Sequence, residues 1–413
     1  MKLLHTADWH LGKMLEGRNR IEEQRIVLEQ MVNIVDKEKP DIVCIAGDIF
    51  DNGNPSAQAQ KLCYSTWKRM SRMGSTLVVC IAGNHDNPVR LEACAPLAKE
   101  QGILILGTPG LRLPSGKYGE FEVNFLGEGA FTFEKNGERS VVVCLPYPSE
   151  KRLNEVLYKE EMEEEKKADS YTEKMKALFE NCNAYFKEDC ANLFVSHIYT
   201  MGARGDGSER GLKLGESYLL PASIFPDKAG YTALGHVHKP QKVPGTRGKI
   251  RYSGSILPYH RDERNMAKQC LLVEIHPGED AKVEEIYLKN PKPIEVWECK
   301  NYEEALLKCR ENKGRPCWSY LRIHTDTCLR EDQLKELKGI KEDILEIIPL
   351  FEEEKKKRRE FWHKEKDMRI LFEEYYEMRR GTKPDEEMRQ LFEEMLEEDK
   401  EDETGEIDAE RNQ

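Results

Sequence analysis

The sequence predicts an α/β fold, and three observations support this. Short apolar runs alternate with stretches of helical periodicity through the first hundred residues. These runs are about five or six residues long, and each ends in a glycine or a polar residue, which is typical of buried strands. The chain has 413 residues, of which 39% are hydrophobic, so it can build two to three domains at roughly 150 residues each.

The N-terminal hundred residues alternate between strand and helix. The predicted strands are Lys2–Thr6, Ile42–Ala46 and residues 77–82. The predicted helices lie over residues 21–36 and 57–72, where apolar side chains recur at a helical period. Pro40 ends the first helix, because proline lacks the N–H that a helix interior requires. Strand, helix and strand at this spacing indicate α/β architecture.

The middle of the chain continues the first domain. Residues 153–189 are charged and helical, and we expect them to form a surface excursion. Further strands are predicted over residues 193–196, 231–234, 251–255 and 270–275. A Pro-Gly pair at 277–278 then marks the expected end of the first domain, which we place at residues 1–278.

The C-terminal third is predicted to hold three smaller parts. Short strands and helices alternate over residues 282–350, which predicts a small α+β domain. Residues 355–398 have the pattern of a helix-loop-helix with an apolar stripe on each helix. Residues 399–413 are expected to be a disordered acidic tail.

Charge and cysteine content limit the function classes. The formal net charge is −12, and residues 351–413 hold 14 Lys/Arg against 23 Asp/Glu. This balance argues against a protein that binds DNA by its own charge alone, but not against a nucleic-acid enzyme whose positive charge comes from metal ions or a partner. The twelve cysteines follow no metal or disulfide spacing. With no membrane-spanning run and no signal peptide expected, we predict a cytoplasmic protein.

Five polar patterns each lie just beyond a predicted strand. They are Asp8-x-His10, Gly47-Asp48-x-x-Asp51, Gly83-Asn84-His85-Asp86, His197 and Gly235-His236-x-His238. Ligands of open α/β sheets bind beyond the carboxyl ends of the strands, so these patterns can converge on one site. Carboxylate, amide and imidazole donors without cysteine suit a hard to borderline cation such as Mn²⁺. Taken singly, each pattern is as compatible with a tight turn or a buried histidine.

This ordered set resembles the calcineurin-like metallophosphoesterase superfamily and, more closely, its SbcD family of bacterial nuclease subunits. The resemblance also rests on the segments 231–241 (YTALGHVHKPQ) and 251–255 (RYSGS), and it covers roughly residues 1–275. It implies a sandwich of two sheets flanked by helices, followed by the α+β capping domain and the C-terminal helix pair.

The resemblance implies a centre of two divalent metal ions, most naturally Mn²⁺. One ion would be held by Asp8, His10, Asp48 and His238. The other would be held by Asp48, Asn84, His197 and His236. Asp48 would therefore bridge the two ions, as an in-line displacement at phosphorus between two metals requires.

His85 is the expected catalytic residue. In the family, the matching histidine stabilises the transition state or protonates the leaving oxygen, which suits an imidazole whose pKa lies near neutrality. The alternative is a residue that only orients water or Asp86. Asp51 either steers a ligand histidine or caps a turn, and Asp86 is a further candidate for supporting the ligands.

A basic stretch beside a metal ligand is the expected DNA contact. Residues 237–251 contain no acidic residue, and their basic side chains are Lys239, Lys242, Arg247, Lys249 and Arg251. They could follow the phosphate backbone into the site. A solvated hairpin with ordinary surface lysines explains them equally well. His260 has no assigned role.

The predicted function is a DNA nuclease subunit acting in DNA repair, replication and recombination. By resemblance it would be a double-strand exonuclease and a single-strand or hairpin endonuclease. Its helix pair would dock on an SbcC-type coiled-coil ATPase, and two nuclease subunits would form a homodimer within a heterotetramer. The alternatives are a small-molecule or cyclic-nucleotide phosphodiesterase and a non-catalytic DNA-binding scaffold subunit.

Overall fold

The computed structural model describes residues 1–153, 164–203 and 219–351, and then residues 372, 373, 376, 383, 384, 388, 389 and 392. Two compact units share the chain: the first comprises residues 1–295 and 315–319, and the second residues 296–314 and 320–413. Among the described residues, no helix combines the length and apolar character that crossing a bilayer requires.

The described strands lie between residues 2 and 350. In chain order they are β1 (Lys2–Thr6), β2 (Met14–Leu15), β3 (Arg18–Asn19), β4 (Ile42–Ala46), β5 (Leu77–Ile81), β6 (Ile103–Leu106), β7 (Gly116–Tyr118), β8 (Phe121–Gly127), β9 (Ala130–Lys135), β10 (Glu138–Leu145), β11 (Ala191–His197), β12 (Tyr231–Gly235), β13 (Gln241–Lys242), β14 (Ile250–Tyr252), β15 (Lys268–Glu274), β16 (Lys282–Leu288), β17 (Ile294–Cys299), β18 (Trp318–His324) and β19 (Ile344–Leu350).

The α-helices of the described part are α1 (Ile21–Glu38), α2 (Ala57–Met70), α3 (Pro88–Glu92), α4 (Ala95–Ala98), α5 (Glu150–Leu153), α6 (Glu164–Asn183), α7 (Tyr302–Glu311) and α8 (Glu331–Ile340). Short 3₁₀ turns cover Arg72–Gly74, Lys99–Gln101, Ala222–Ile224 and Arg261–Asn265. Local chemistry explains where helices start: the Ser56 hydroxyl accepts a hydrogen bond from the Ala59 N–H at the start of α2.

The first unit contains two large mixed sheets. The six-stranded sheet has the order β16-β15-β1-β4-β5-β6, with β1, β4, β5 and β6 parallel. The eight-stranded sheet has the order β13-β14-β12-β11-β10-β9-β8-β7, and its parallel centre is β10, β11, β12 and β14. The carboxyl ends of β1, β4 and β5 therefore lie at one edge of the first sheet, and those of β11 and β12 at one edge of the second.

The two sheets pack face to face around a shared apolar core. Buried side chains of both sheets form one cluster, including Leu3, Ile42, Val79, Val142, Leu193 and Tyr231. A second cluster joins the outer face of the six-stranded sheet to α1 and α2. A third joins the outer face of the eight-stranded sheet to α6. The expected sandwich of two sheets flanked by helices is therefore confirmed, and burial of apolar surface between its layers stabilises it.

Helix α6 corrects one expectation. Its buried residues Tyr171, Met175, Phe179 and Cys182 lie at a helical period and pack on the second sheet. The segment is thus a structural layer and not a surface excursion, because one face of this charged helix is apolar. Residues 154–163 of the same stretch lie outside the described residues.

The region between residues 87 and 152 carried no strand or helix prediction, yet it supplies strands β6 to β10.

The expected domain boundary at 278–282 lies between two neighbouring strands of one sheet, because β16 pairs antiparallel with β15 along its whole length. The rest of residues 282–350 contains the three-stranded sheet β17-β18-β19 and helices α7 and α8, and its assignment as a capping domain stays a prediction. Apart from eight positions, the expected helix pair and acidic tail lie outside the described residues.

Candidate metal centre

The structure brings the seven expected metal ligands together at the carboxyl ends of five strands. Two come after β1, one each after β4 and β5, one at the end of β11 and two after β12. They are Asp8, His10, Asp48, Asn84, His197, His236 and His238. Six of the side chains belong to residues that are almost fully buried, and Asn84 is half-buried.

The first group surrounds His10. Its Nε2 lies 3.0 Å from Nε2 of His238 and 3.6 Å from Oδ2 of Asp48. One ligand atom each of Asp8, His10 and Asp48 lie within 4.8 Å of one another, a spacing that a single ion can span. Asp8 Oδ1 accepts a hydrogen bond from the His236 N–H at 2.9 Å.

The second group surrounds Asn84. Its Oδ1 lies 2.9 Å from His197 Nε2 and 3.1 Å from His236 Nδ1. His197 Nε2 is also 3.4 Å from Asp48 Oδ2. The same Asp48 oxygen therefore stands between the two groups, 3.6 Å from one histidine and 3.4 Å from the other.

A backbone carbonyl fixes the orientation of the His197 ring. Nδ1 of His197 lies 2.8 Å from the carbonyl oxygen of Ala46. Because a carbonyl can only accept, Nδ1 carries a proton, and Nε2 is the nitrogen that faces Asp48 and Asn84. A histidine held in this way is prepared to bind a cation.

Left-handed backbone conformations place the ligands. The φ angles of Asp8, His10 and Asp48 are 52°, 44° and 48°, and that of His236 is 97°. Such conformations cost non-glycine residues about 1–3 kcal/mol each and persist where surrounding structure enforces them. Their concentration here indicates a functional site.

Two glycines allow the loops to approach closely. A Cβ on Gly83 would lie 2.2 Å from the Asp48 nitrogen, and one on Gly235 would lie 1.9 Å from the Ala46 carbonyl oxygen. Neither clash can be relieved by a side-chain rotation, because both involve backbone atoms. The two glycines therefore let the strand ends meet.

Burial and mutual charge shift the pKa values of the ligands in opposite directions. Burial raises the pKa of Asp8 to about 6. Burial lowers the pKa of His236 to about 3 and also keeps that of His10 well below its usual value. For His197, burial alone would lower the pKa, but the Asp48 and Asp8 carboxylates outweigh it and raise the pKa to about 9.

The donor set fits divalent cations. Among the described residues, Oδ2 of Asp8 and Nδ1 of His10 are buried without a hydrogen-bond partner. Buried polar atoms normally have partners, so these are unusual. Together with the carboxylate, amide and imidazole donors around Asp48, they match the ligands of ions such as Mn²⁺.

His85 lies at the edge of both groups. Its Nδ1 is 2.7 Å from the carbonyl oxygen of Asp51, and its Nε2 is 4.0 Å from Asp48 Oδ2. Its ring is 4.8 Å from that of His10. Ligand atoms of His10, Asp51 and His85 also lie within 4.8 Å of one another, so His85 has the geometry of either a catalytic residue or a ligand.

Asp51 and Asp86 have different surroundings. The Asp51 carboxylate lies 3.3 Å from Lys13 Nζ, while its backbone carbonyl orients His85. The buried Asp86 carboxylate accepts hydrogen bonds from the N–H groups of Ile49, Phe50 and Gly83 at 2.8–3.1 Å. Asp86 thereby joins the loop that carries Asp48 to the loop that carries Asn84.

Tyr147 lines the site, although the sequence did not predict it. Its ring stacks on His236 at 6.4 Å and meets the edge of His197 at 6.2 Å. Arg152 also lies over the Tyr147 ring, 5.4 Å from its centroid, and donates to the Asp86 carbonyl. The signal was available, because Tyr147 follows the apolar run that forms β10.

The basic side chains of the expected DNA-contact stretch have different surroundings. Lys239 and Arg251 line the same open groove of about 410 Å³, which Tyr287 also lines, whereas Lys249 lines a different groove. Arg251 is partly neutralised by Glu285 at 3.5 Å. Lys242 and Arg247 are exposed. His260 has a local role, since its Nδ1 accepts from the Asp262 N–H at the start of a 3₁₀ turn.

Comparison with known proteins identifies the family of the chain. The calcineurin-like phosphoesterase family matches residues 1–240. A relative from Bacillus subtilis (strain 168), named as the D subunit of the nuclease SbcCD, is 37% identical over 399 residues, covering 95% of this chain and 97% of its own. One of the same name from Rhodobacter capsulatus is 31% identical over 299 residues, covering 71% of each chain.

Two solved structures show a distant likeness. A dimetal phosphatase from Danio rerio has 12% identity and a TM-score of 0.37, over 70% of this chain and 99% of its own. A Thermus thermophilus protein, TT1561, has 13% identity and a TM-score of 0.33, over 69% and 98%. The family assignment therefore rests on the sequence relatives: the chain belongs to the calcineurin-like phosphoesterase family and, within it, to the SbcD family of nuclease subunits.

Proposed function

We propose that this protein is a DNA nuclease subunit that hydrolyses phosphodiester bonds at a centre of two divalent cations, with Mn²⁺ as the working metal. One observation carries the proposal: Asp48 Oδ2 lies between two donor groups, 3.6 Å from His10 and 3.4 Å from His197. A shared carboxylate between two donor groups is the arrangement that a two-metal site uses.

Each cation has its own proposed ligands. Asp8, His10 and His238 would hold the first together with Asp48, and Asn84, His197 and His236 the second together with Asp48. When bound, the cations would supply Lewis-acid stabilisation of negative charge at phosphorus. The protein orients the donors, because Ala46 fixes the His197 ring and Asp86 fixes the loops of Asp48 and Asn84.

His85 is the proposed general acid. The Asp51 carbonyl accepts a hydrogen bond from Nδ1–H, so Nε2 is the nitrogen that faces Asp48. A protonated Nε2 there can donate to the oxygen that leaves phosphorus. Its side chain is only 9% exposed, so water competes little for that proton.

The relatives suggest the substrate and the partner. Because they are named as subunits of a nuclease, SbcCD, we propose that this chain acts on DNA and works with an SbcC-type coiled-coil ATPase. We further propose a homodimer of nuclease subunits, cytoplasmic and acting in DNA repair, replication and recombination. Lys239 and Arg251, which share a groove, are the proposed DNA contacts.

The C-terminal parts are assigned on the same basis. Residues 282–350 would be the capping domain, and residues 355–398 the helix-loop-helix that docks on the ATPase. Within the described positions, the rings of Phe372 and Phe392 stack with centroids 4.1 Å apart, and Arg389 lies 3.0 Å from Glu373. These contacts support a pairing of the two predicted helices.

A cleavage assay tests the proposal. End-labelled linear duplex and single-stranded circular DNA are incubated with Mn²⁺, Mg²⁺ or chelator. The wild type is compared with Asp48→Ala and with the control Asp36→Ala, whose side chain is 58% exposed on α1. Mn²⁺-dependent cleavage by the wild type and the control, lost in Asp48→Ala, is the expected result.

Other outcomes would identify the alternatives. Hydrolysis of a cyclic nucleotide without cleavage of either DNA, also when the ATPase partner is added, would indicate a small-molecule phosphodiesterase. DNA binding without any metal-dependent hydrolysis would indicate a scaffold subunit.

A further inference from the structure

Glu263 is a fully buried carboxylate directly behind the expected ligand His238. Its Oε1 lies 3.6 Å from His238 Nδ1 and accepts a hydrogen bond from the Tyr259 N–H at 3.1 Å. Its Oε2 accepts from Lys268 Nζ at 2.5 Å and from Ser255 Oγ at 3.3 Å. The Glu263 side chain has no exposed surface.

Lys268 contacts both Glu263 and His238. Besides Glu263, its Nζ donates to the His238 carbonyl at 3.0 Å and to Ser255 Oγ at 2.8 Å. Lys268 is the first residue of β15, which pairs with β1, the strand that leads to Asp8. The cluster therefore connects His238, which follows the second sheet, to the first sheet.

Stability alone does not account for this ion pair. Burying both charges costs several kcal/mol per ion, and apolar side chains of similar size would fill the space as well or better. The neighbours Asp262 and Arg264 show the alternative, since both side chains remain at the surface. A buried carboxylate at Nδ1 of a histidine whose Nε2 faces the metal site indicates a role at that site.

We propose that Glu263 is a positioning residue that orients the His238 imidazole toward one of the two cations, and that Lys268 holds Glu263 in place. The proposal rests on the two-metal function proposed above. A carboxylate at Nδ1 fixes the ring orientation and increases the electron density at Nε2, which strengthens the bond from Nε2 to a cation.

Mn²⁺ titration of the metal-free protein tests this without relying on activity. We expect Glu263→Gln to weaken binding at one site by roughly 10–100-fold and to leave the other unchanged. Because the effect should pass through His238, the same substitution in a His238→Ala background should change the remaining affinities less than about twofold. If the losses of Mn²⁺ affinity caused by Glu263→Gln and by His238→Ala add up in the double variant, the proposal is wrong.

A second pair of variants separates positioning from folding. Glu263→Gln leaves Lys268 buried without its carboxylate, so thermal unfolding of the metal-free protein is measured together with binding. The variant Glu263→Gln/Lys268→Met removes both charges and should recover much of the lost stability. If it recovers stability while one Mn²⁺ site stays weakened, positioning is supported; if Mn²⁺ affinity recovers as well, the pair is only structural and the proposal fails.

The control is Asp262→Asn, which changes a neighbouring carboxylate that is 55% exposed and leaves the Glu263–His238 contact in place. It should retain both affinities. Failure of the proposed function gives a different result: a wild type that binds no Mn²⁺ overturns the metal assignment and this proposal with it. A wild type that binds two Mn²⁺ and cleaves DNA, beside a Glu263→Gln variant of equal affinity, overturns this proposal alone.

Discussion

The Nε2 atoms of His10 and His238 lie 3.0 Å apart although 228 positions separate the two residues in the chain. His10 follows β1 of one sheet, and His238 follows β12 of the other. Two imidazole nitrogens that face each other at this distance, beside a carboxylate oxygen of Asp48 at 3.6 Å, form a concentration of cation ligands that no single loop could provide.

Mn²⁺ should raise the stability of the folded protein. Because the ligands converge only in the folded state, metal at one hundred times its dissociation constant should add about 2.7 kcal/mol per independent site. Thermal unfolding with Mn²⁺ and with chelator measures this. Asp48→Asn should show a much smaller gain, since both groups share that carboxylate. An equal gain in this variant would mean that Mn²⁺ binds elsewhere.

His85→Gln should separate metal binding from chemistry. If His85 acts as the general acid, the variant keeps both Mn²⁺ ions and loses roughly 10²–10⁴-fold in kcat. Metal stoichiometry and single-turnover DNA cleavage are measured on the same preparation. Loss of one ion would instead assign His85 as a ligand, which the proximity of His10 and Asp51 also permits.

Asp86→Asn should loosen the loops that carry Asp48 and Asn84. An amide can accept hydrogen bonds through only one of its two terminal atoms, so at least one of the three backbone N–H groups now bonded to Asp86 loses its partner. We expect a loss of about 1–3 kcal/mol in the free energy of unfolding. Asp262→Asn, whose carboxylate is 55% exposed, is the control and should change it little.

His5 should make the stability of the metal-free protein depend on pH. In neutral His5, Nε2 donates to the Leu234 carbonyl and Nδ1 accepts the hydroxyl proton of Tyr231. Burial lowers the pKa of His5 to about 3, from 6.5 in the unfolded chain. Below pH 6.5 the unfolded chain binds a proton at His5 that the folded protein does not. The free energy of unfolding therefore falls as the pH falls from 6.5 toward 3, by up to about 1.4 kcal/mol per pH unit.

The His5→Gln variant checks this in denaturant unfolding between pH 4 and 7. Its free energy of unfolding should depend less steeply on pH than that of the wild type. His276→Gln serves as the control, because the His276 side chain is 44% exposed. Equal slopes in wild type and His5→Gln would show that His5 titrates alike in the folded and unfolded states.

Truncation after residue 351 should separate the nuclease from its partner. The described sheets and helices α1 to α8 all precede this point, so we expect the shortened chain to fold and to keep Mn²⁺-dependent cleavage. It should no longer bind the ATPase partner, which a pull-down with purified subunits measures. Tight binding by the truncated chain would contradict the docking role of residues 355–398.

The sequence determined the local chemistry of the site. Short apolar runs that end in Gly47-Asp48 or in Gly235-His236 report buried strands and the polar residues that follow them, and both signals are local. That is why Asp8, Asp48 and His197 were correctly expected to lie near one another. The same reasoning failed for Tyr147, because β10 was not recognised and the residue that follows it had no predicted position.

Only the tertiary structure decided which polar residues are buried and what they face. Nothing local distinguishes Glu263 from Asp262 in the run of charges from 261 to 264, yet one has no exposed surface and faces His238, while the other remains largely in water. The left-handed backbone of Asp8 and His236 is likewise enforced by surrounding contacts. Burial and strain depend on residues far apart in the chain, whereas periodicity and turn chemistry depend only on neighbours.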